Sequence, residues 1–462
     1  MTNWKPMTHK RILTLIIALQ AAFVAPLLAQ TAGTAPSINR LNLQSSIQYA
    51  LEHQYTLLNA RLATKKSVEQ VREQRGKLFP HAEINANFVD NIKLATSLIP
   101  DISAGGNPNN RIPVQFGTKF TSNVTGQVNQ TIFNSDYFLG LKAAKVYTEL
   151  STKDLRRTEI DTRVAVTEAY LNVLVNKEAI EILVANRDQL KKTLEDTKAR
   201  YDVGIAERID VDRIQVSFNT TETQVKNAER LLYYSYFVLK FQMSMPEADS
   251  LELMETVRDF DPTKDLPQDT SMYEPHDRVE YSMQETQIAL NQLDLKSKKL
   301  SILPSLNAYV NYGWNFFGAD MGELYKSGFG ASAFGVTFSW PVFQGTERVH
   351  RVNQSKITLQ QSYYDLQNLT LQIQLEVRQA FTEYQNNMLI LSTQKQNMEL
   401  NQGIYDRVEL KFEQGVATSL DVISAEAELK QSQGDYINSL LNALLSKVQL
   451  DKAMGKIQTT GR

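Results

Sequence analysis

Cysteine is absent from all 462 residues. No disulfide can staple the fold, no thiolate can act as nucleophile or metal ligand, and no Cys beside the N-terminus can accept a lipid. Histidine is scarce, and His9, His53, His81, His276 and His350 lie far apart with no metal-ligand spacing. Gly328, Gly330 and Gly335 lack the following Gly-Lys of a phosphate loop. With 22% charged residues and a net charge of −2, the chain is too polar for a bundle of membrane helices and has no basic surplus for nucleic acid. Proline is sparse and no evident linker divides the chain, which suits one elongated unit. Nothing here assembles a catalytic constellation, so the chain reads as a non-enzyme that needs no cofactor.

The N-terminus carries His9, Lys10 and Arg11 before a mostly apolar run from Ile12 to Leu28 that ends in small residues. Residues 1–29 therefore read as a signal peptide. A membrane anchor is the rival reading, against which Gln20 and Pro26 interrupt the run.

Self-comparison gives the strongest signal. RYDVGIAERIDV at 200–211 recurs without a gap as KFEQGVATSLDV at 411–422, and the register continues to Met243 and Met454. KLFPHAEINANF resembles SILPSLNAYVNY, placing Pro80 on Pro304, and QTIFNS resembles WPVFQG, placing Phe133 on Phe343. Two repeats follow, at 30–243 and 276–455, joined by an acidic irregular segment at 244–275 and ending in a tail at 456–462. Each repeat reads as helix, two strands, very long helix, tight turn, helix. The first carries an insertion, IPDISAGGNPNNRIP at 99–113, whose turn residues predict an exposed loop.

Strands are expected at about 81–94, 116–133, 304–317 and 328–343. In the third, Leu306, Ala308, Val310, Tyr312, Trp314 and Phe316 alternate with Asn307, Tyr309, Asn311, Gly313 and Asn315. In the second, Phe120, Val124, Val128 and Ile132 alternate with Thr121, Asn123, Gln127 and Asn129. One apolar and one amide-rich face over about ten residues suits an outer-membrane barrel wall, although a soluble sheet packed on a helix has the same period. Four strands cannot close a barrel, and lipid tolerates no unpaired sheet edge, so several copies must pool their strands. Two copies would fill the interior and three would leave a lumen; the residues alone leave the number open. Long helices are expected at about 136–200 and 347–411, each spanning about 98 Å, with shorter ones at about 207–243 and 418–455. Apolar residues at threes and fours, such as Leu366, Leu369, Ile373 and Val377, predict a coiled-coil-like wall.

LNLQSSIQYALEHQYTLLNARL at 41–62, the paired YDVGIAERIDV and FEQGVATSLDV, and the LFP and ILP entries to the strands together resemble the outer membrane efflux protein family of TolC-like channels. The resemblance covers essentially the whole chain after the leader. It implies a mixed α and β membrane protein. Three chains would each give four strands to a twelve-stranded barrel in the outer membrane of a Gram-negative cell, continued by a helical periplasmic tunnel. Residues 244–275 with the C-terminus would form an equatorial part. The implied role is an exit duct for efflux or type I secretion that serves an inner-membrane pump through a periplasmic adaptor. A periplasmic coiled-coil scaffold is the alternative.

Gly204 and Gly415 each separate two helices, where a left-handed residue is needed to reverse the chain, and turn-making alone accounts for them. The resemblance adds a periplasmic tip presenting Tyr201, Val203, Gly204, Ile205, Phe412, Gly415, Val416 and Ala417 to the adaptor. It also places Asp421 at the tunnel's narrow end as a constriction, with its twin Asp210 linking neighbouring hairpins. Thr418 followed by Asp421 equally resembles a capping box. Ser424 stands where the family often has a second acid, and Phe412 and Ala417 replace residues that commonly help closure. Any closed state must therefore use other contacts, for which Asp212 and Arg213 are candidates.

Overall fold

In the computed structural model, residues 38–101, 109–263 and 273–457 are described. The signal peptide assigned to 1–29 lies outside them, as do parts of the insertion, the connecting segment and the tail. In chain order the elements are β1 (Ile38–Leu41), α1 (Leu43–His53), α2 (Tyr55–Gly76), β2 (His81–Asp90), β3 (Thr96–Pro100), β4 (Arg111–Gln115), β5 (Phe120–Phe133), α3 (Ser135–Asp202) and α4 (Arg208–Met243). β6 (Ser250–Leu253), α5 (Val279–Leu300), β7 (Ser305–Gly318), β8 (Gly328–Ser339), α6 (Glu347–Glu413) and α7 (Ser419–Ala453) follow.

The long helices, of 68 and 67 residues, each run about 100 Å at 1.5 Å per residue. Side chains start α3 and α7 where the chain leaves extended backbone: Asn134 accepts from the Asp136 N–H at 2.8 Å, and Thr418 accepts from that of Asp421 at 3.3 Å. The first predicted helix is two helices. Gln54 is extended, ends α1, and starts α2 by accepting from the Leu57 N–H at 2.9 Å. α2 and then α4 pack along α3, while α5 and then α7 pack along α6. α3 also touches α5 and α7, so the wall reads α2/α4, α3, α5/α7, α6.

The main sheet has the order β2-β5-β7-β8, antiparallel throughout. Along the chain its two edge strands adjoin the two outer members of the helical wall: α2 leads into β2, and β8 leads into α6. One face carries Ile84, Phe88, Phe120, Val124, Val128, Val310, Trp314, Phe316, Phe334, Val336 and Phe338, which the register places together. The other carries Asn85, Asn87, Thr121, Asn123, Gln127, Asn129, Asn307, Asn311 and Asn315, with Asn123 donating to Asn315 at 3.0 Å. No helix lies over the apolar face among the described residues. Exposed aromatics mark both ends of this face, Phe338 and Trp340 beside the helices and Phe88 at the far end, as in the girdles of a barrel at its two interfaces.

The insertion differs from the expected loop. Thr96–Pro100 and Arg111–Gln115 pair as an antiparallel hairpin of their own, with Leu98 opposite Pro113 and Ile99 opposite Ile112. The β7–β8 connection folds back on the apolar side: Leu324 is fully buried over Gly318, and Tyr325 meets the Phe316 ring edge-on at 5.2 Å. Gly318 is needed there, since a Cβ would stand 2.7 Å from the Leu324 Cα. The segment between repeats supplies β6, which pairs parallel with β1.

The largest core lies where β1, β6 and α1 wrap the middle of α3 and the C-terminal end of α4. Tyr170 is fully buried there and donates its hydroxyl to Glu255 at 2.8 Å, which also accepts the first N–H of α1, from Leu43, at 2.7 Å. Burial, with Glu255 beside it, holds the phenol far above its ordinary pKa, so it stays a donor at every physiological pH. Tyr170→Phe should remove one hydrogen bond to a charged group, worth about 1.5–3 kcal/mol. A lowered midpoint of thermal unfolding would show it, whereas an unchanged midpoint would mean that Glu255 is satisfied without Tyr170.

Candidate functional site at the helical tip

At the end distant from the sheet, α3 turns into α4 and α6 into α7. Gly204 and Gly415 have φ of +79° and +75°, and the two turns share one bonding pattern. Gly204 donates to the Tyr201 carbonyl at 2.9 Å and Ile205 to Arg200 at 2.8 Å; Gly415 donates to Phe412 at 2.9 Å and Val416 to Lys411 at 2.8 Å. The two matching sequence segments thus form turns of one geometry. Nothing lies within 4 Å of a Cβ built on either glycine, so the left-handed backbone is what requires glycine.

These turns put apolar side chains into solvent. Val203, Ile205 and Val416 are 70%, 75% and 74% exposed, and Tyr201 is exposed as well. Phe412 turns inward, packing on the small cores formed by Leu190, Leu194, Val211 and Ile214 and by Tyr405, Val422, Ala425 and Leu429. Ala417 is half-buried.

The twin carboxylates part company. Asp421 is exposed and completes the capping box: it accepts the Thr418 N–H at 2.8 Å and hydroxyl at 2.7 Å, donors that hold its carboxyl below the ordinary carboxylate value. Asp210 accepts its own N-cap N–H from Glu207 at 3.2 Å, but it also takes the hydroxyl of buried Ser419 on the other hairpin. Asp421 remains open to solvent, while Asp210 ties together the two hairpins of this one chain. Asp212 pairs with Arg208 on its own helix at 3.0 Å.

Two sets of contacts were not anticipated. Arg200 donates to the carbonyls of Phe412 at 3.1 Å and Glu413 at 2.7 Å, while its guanidinium lies 5.6 Å from the Phe412 ring centroid. It satisfies the last carbonyls of α6 from the end of α3, where a cation also suits the helix dipole. Farther from the tip, buried Glu426 accepts from Ser217 at 2.5 Å and pairs with Lys430, which donates to Thr221. Asp210–Ser419, Ser217–Glu426 and Thr221–Lys430 are each 209 residues apart. Near the tip, over 210–221 and 419–430, α4 and α7 therefore meet as parallel twins, nearly at the 211-residue offset of the two sequence segments.

Among the described residues, no group of three His, Asp or Glu side chains could hold a metal, and no helix is long and apolar enough to cross a membrane. A four-stranded sheet whose apolar face no helix covers among the described residues, set on helices of about 100 Å, suits the wall of a channel. The chain belongs to the outer membrane efflux protein family, whose profile matches residues 46–239 and 280–456. It is 22% identical over 436 residues to the probable efflux pump outer membrane protein TtgC of Pseudomonas putida, covering 89% of this chain and 82% of that one. It is 21% identical over 425 residues to the outer membrane protein TolC of Vibrio cholerae, covering 90% and 91%. Among solved structures it superposes on CusC with a TM-score of 0.71 at 14% identity, covering 93% of this chain and 95% of that one. It is an outer-membrane channel protein of the efflux and secretion class.

Asp421 gives the tip a testable charge. Asn at 421 can still cap α7 but carries no charge, so Asp421→Asn should lower cation preference and weaken block by multivalent cations in planar bilayers, with assembly unchanged. Because folding lowers this pKa, the charge and its cap persist above the ordinary value of 3.8. Both are lost only as the pH falls through the lower, folded value. Unaltered selectivity in Asp421→Asn would leave Asp421 a helix cap and nothing more.

Proposed function

We propose that three copies of this chain form a passive exit duct, with a twelve-stranded barrel in the outer membrane and a helical tunnel through the periplasm. The observation that carries this reading is the coincidence of open edges. Among the described residues β2 and β8 are unpaired on their outer sides, and the same two sides of the wall end in α2/α4 and in α6. On α4, Val216 and Tyr234 are exposed, as are Leu371, Leu375 and Leu400 on α6. The strands alternate up and down from β2 to β8, so β8 of one copy meets β2 of the next as an antiparallel neighbour, and the helical flanks meet below. Three copies supply twelve strands and an open lumen lined by the amide face. A periplasmic scaffold would leave the apolar sheet face uncovered by any layer of its own.

In this arrangement the tip lies deepest in the periplasm. Tyr201, Val203, Ile205 and Val416 form an apolar surface for a periplasmic adaptor, Gly204 and Gly415 shape it, and the half-buried Phe412 and Ala417 support it. The adaptor in turn connects the duct to an inner-membrane pump, which supplies the energy. Asp421 rings the tunnel's entrance. In the resting state Arg200 and Asp210 hold the hairpins together, in the place of the links that Phe412 and Ala417 cannot make.

Membrane partition and topology test the assignment together. The protein should require detergent for extraction and run as a trimer. On intact cells protease should cut the 99–113 segment while sparing the turns at Gly204 and Gly415. Release by osmotic shock as a soluble monomer, or cleavage at the glycine turns from outside, would overturn it.

A further inference from the structure

We infer that Tyr309 and Gly335 set the width of the barrel lumen near its inner end, with the glycine acting as a notch that stows the phenol against the wall. The inference rests on the amide face being the lumen. On that face one row of cross-strand neighbours runs His81, Asn129, Tyr309, Gly335. It lies toward the helical end of the sheet, since β2 begins at His81 and β7 at Ser305.

The ring of Tyr309 lies across Gly335. A Cβ on Gly335 would stand 2.4 Å from its Cζ, 2.5 Å from its Oη and 2.6 Å from its Cε1. The backbone does not call for glycine here, because Gly335 is not among the residues with positive φ, and glycine weakens a strand interior. By contrast, a Cβ at Gly330 in the same strand would meet only the tips of Trp314 and Tyr312, at 3.9 and 4.0 Å. What Gly335 provides is room for the Tyr309 ring. On its other flank stands Asn129, whose side chain accepts from Gln127 at 2.8 Å, so that side is already filled. A side chain at 335 therefore lifts the ring off the wall and toward the axis, once in each copy.

Aromatic cover of a strand glycine can also serve sheet stability alone, and the test must separate the two roles. The chain has no cysteine, so one introduced thiol reports one place. Asn307→Cys lies on the same face one row nearer the helices, and Asn315→Cys lies three rows nearer the outer end. Intact cells would be treated from outside with a small charged methanethiosulfonate or with a bulky polyethylene-glycol maleimide.

Asn315→Cys should react with both reagents in every background. Asn307→Cys should react with both when Gly335 is native. Gly335→Ala should slow the bulky reagent there several-fold while leaving the small one unchanged, and Tyr309→Ala added to it should restore the rate. Tyr309→Trp, whose indole outgrows the notch, should slow the bulky reagent without touching β8, which keeps the test alive should Gly335→Ala fail to assemble.

Equal bulky labelling at Asn307→Cys in assembled Gly335→Ala and Tyr309→Trp would overturn the proposal. So would slowing that Tyr309→Ala does not relieve, since that would report distortion of the sheet. If neither thiol reacts even with the small reagent, the assignment of the lumen face fails, and the proposal with it.

Discussion

The structure turns on one constraint: in hydrocarbon, no backbone N–H or C=O can go without a partner. The four-stranded sheet pairs its inner strands on both sides along most of their length and, among the described residues, leaves the outer sides of β2 and β8 open, while Ile84, Phe334 and Phe338 on its apolar face are exposed. A single copy cannot meet this constraint in a membrane. The repeat makes joint closure possible, because two hairpins of alternating direction leave edges of opposite direction, and such edges pair with one another instead of with themselves. The helices inherit that geometry, since each edge strand adjoins a helix at the margin of the wall.

The distal end follows from the same duplication and then departs from it. Both turns use a left-handed glycine and the same carbonyls, so the backbone of the tip is symmetric between repeats. The side chains are not. Asp421 is spent on capping its own helix and faces water, while Asp210 reaches Ser419, and Arg200 crosses to the end of α6 in a way that its counterpart Lys411 does not reproduce. Strong backbone conservation within the chain therefore carries two different hairpins. One presents a carboxylate to solvent, and the other is tied to its neighbour by hydrogen bonds.

Much of this was legible in the residues. Proline and glycine fixed the ends of the long helices to within two residues, since nothing between 135 and 202 or between 347 and 413 interrupts the helix. The period of two in β5 and β7 gave the faces correctly because the two faces differ so sharply in polarity. The strand ends were drawn too long in β2 and β8, where the expected pattern ran on past Asp90 and Ser339, and in β5, where it began before Phe120. β1 with β6 and the β3–β4 hairpin escaped notice, being short and lacking a long alternation.

At the tip, the glycines, the capping role of Asp421 and the exposed valines were readable. Arg200 was not, because it binds main-chain carbonyls, for which no residue type is a marker. The Glu426–Lys430 pair has the i, i+4 spacing of an ordinary solvated helix face. Only the parallel packing of α4 on α7 makes it buried. That packing did have a signal, since twins offset by 211 residues that lie side by side bring residue i near i+209, as the three contacts do.

Closure of β8 on the neighbouring β2 is the claim on which the lumen, the tunnel and the tip's orientation all rest. Single cysteines at outward-facing positions of β2 and β8, introduced together into a chain that otherwise has none, can be joined by a short bifunctional thiol reagent in native membranes. Denaturing electrophoresis should then show a ladder of dimer and trimer that goes no higher, with neither single mutant giving the trimer. Cross-linking only within one chain, or a ladder that continues past three, would contradict the account.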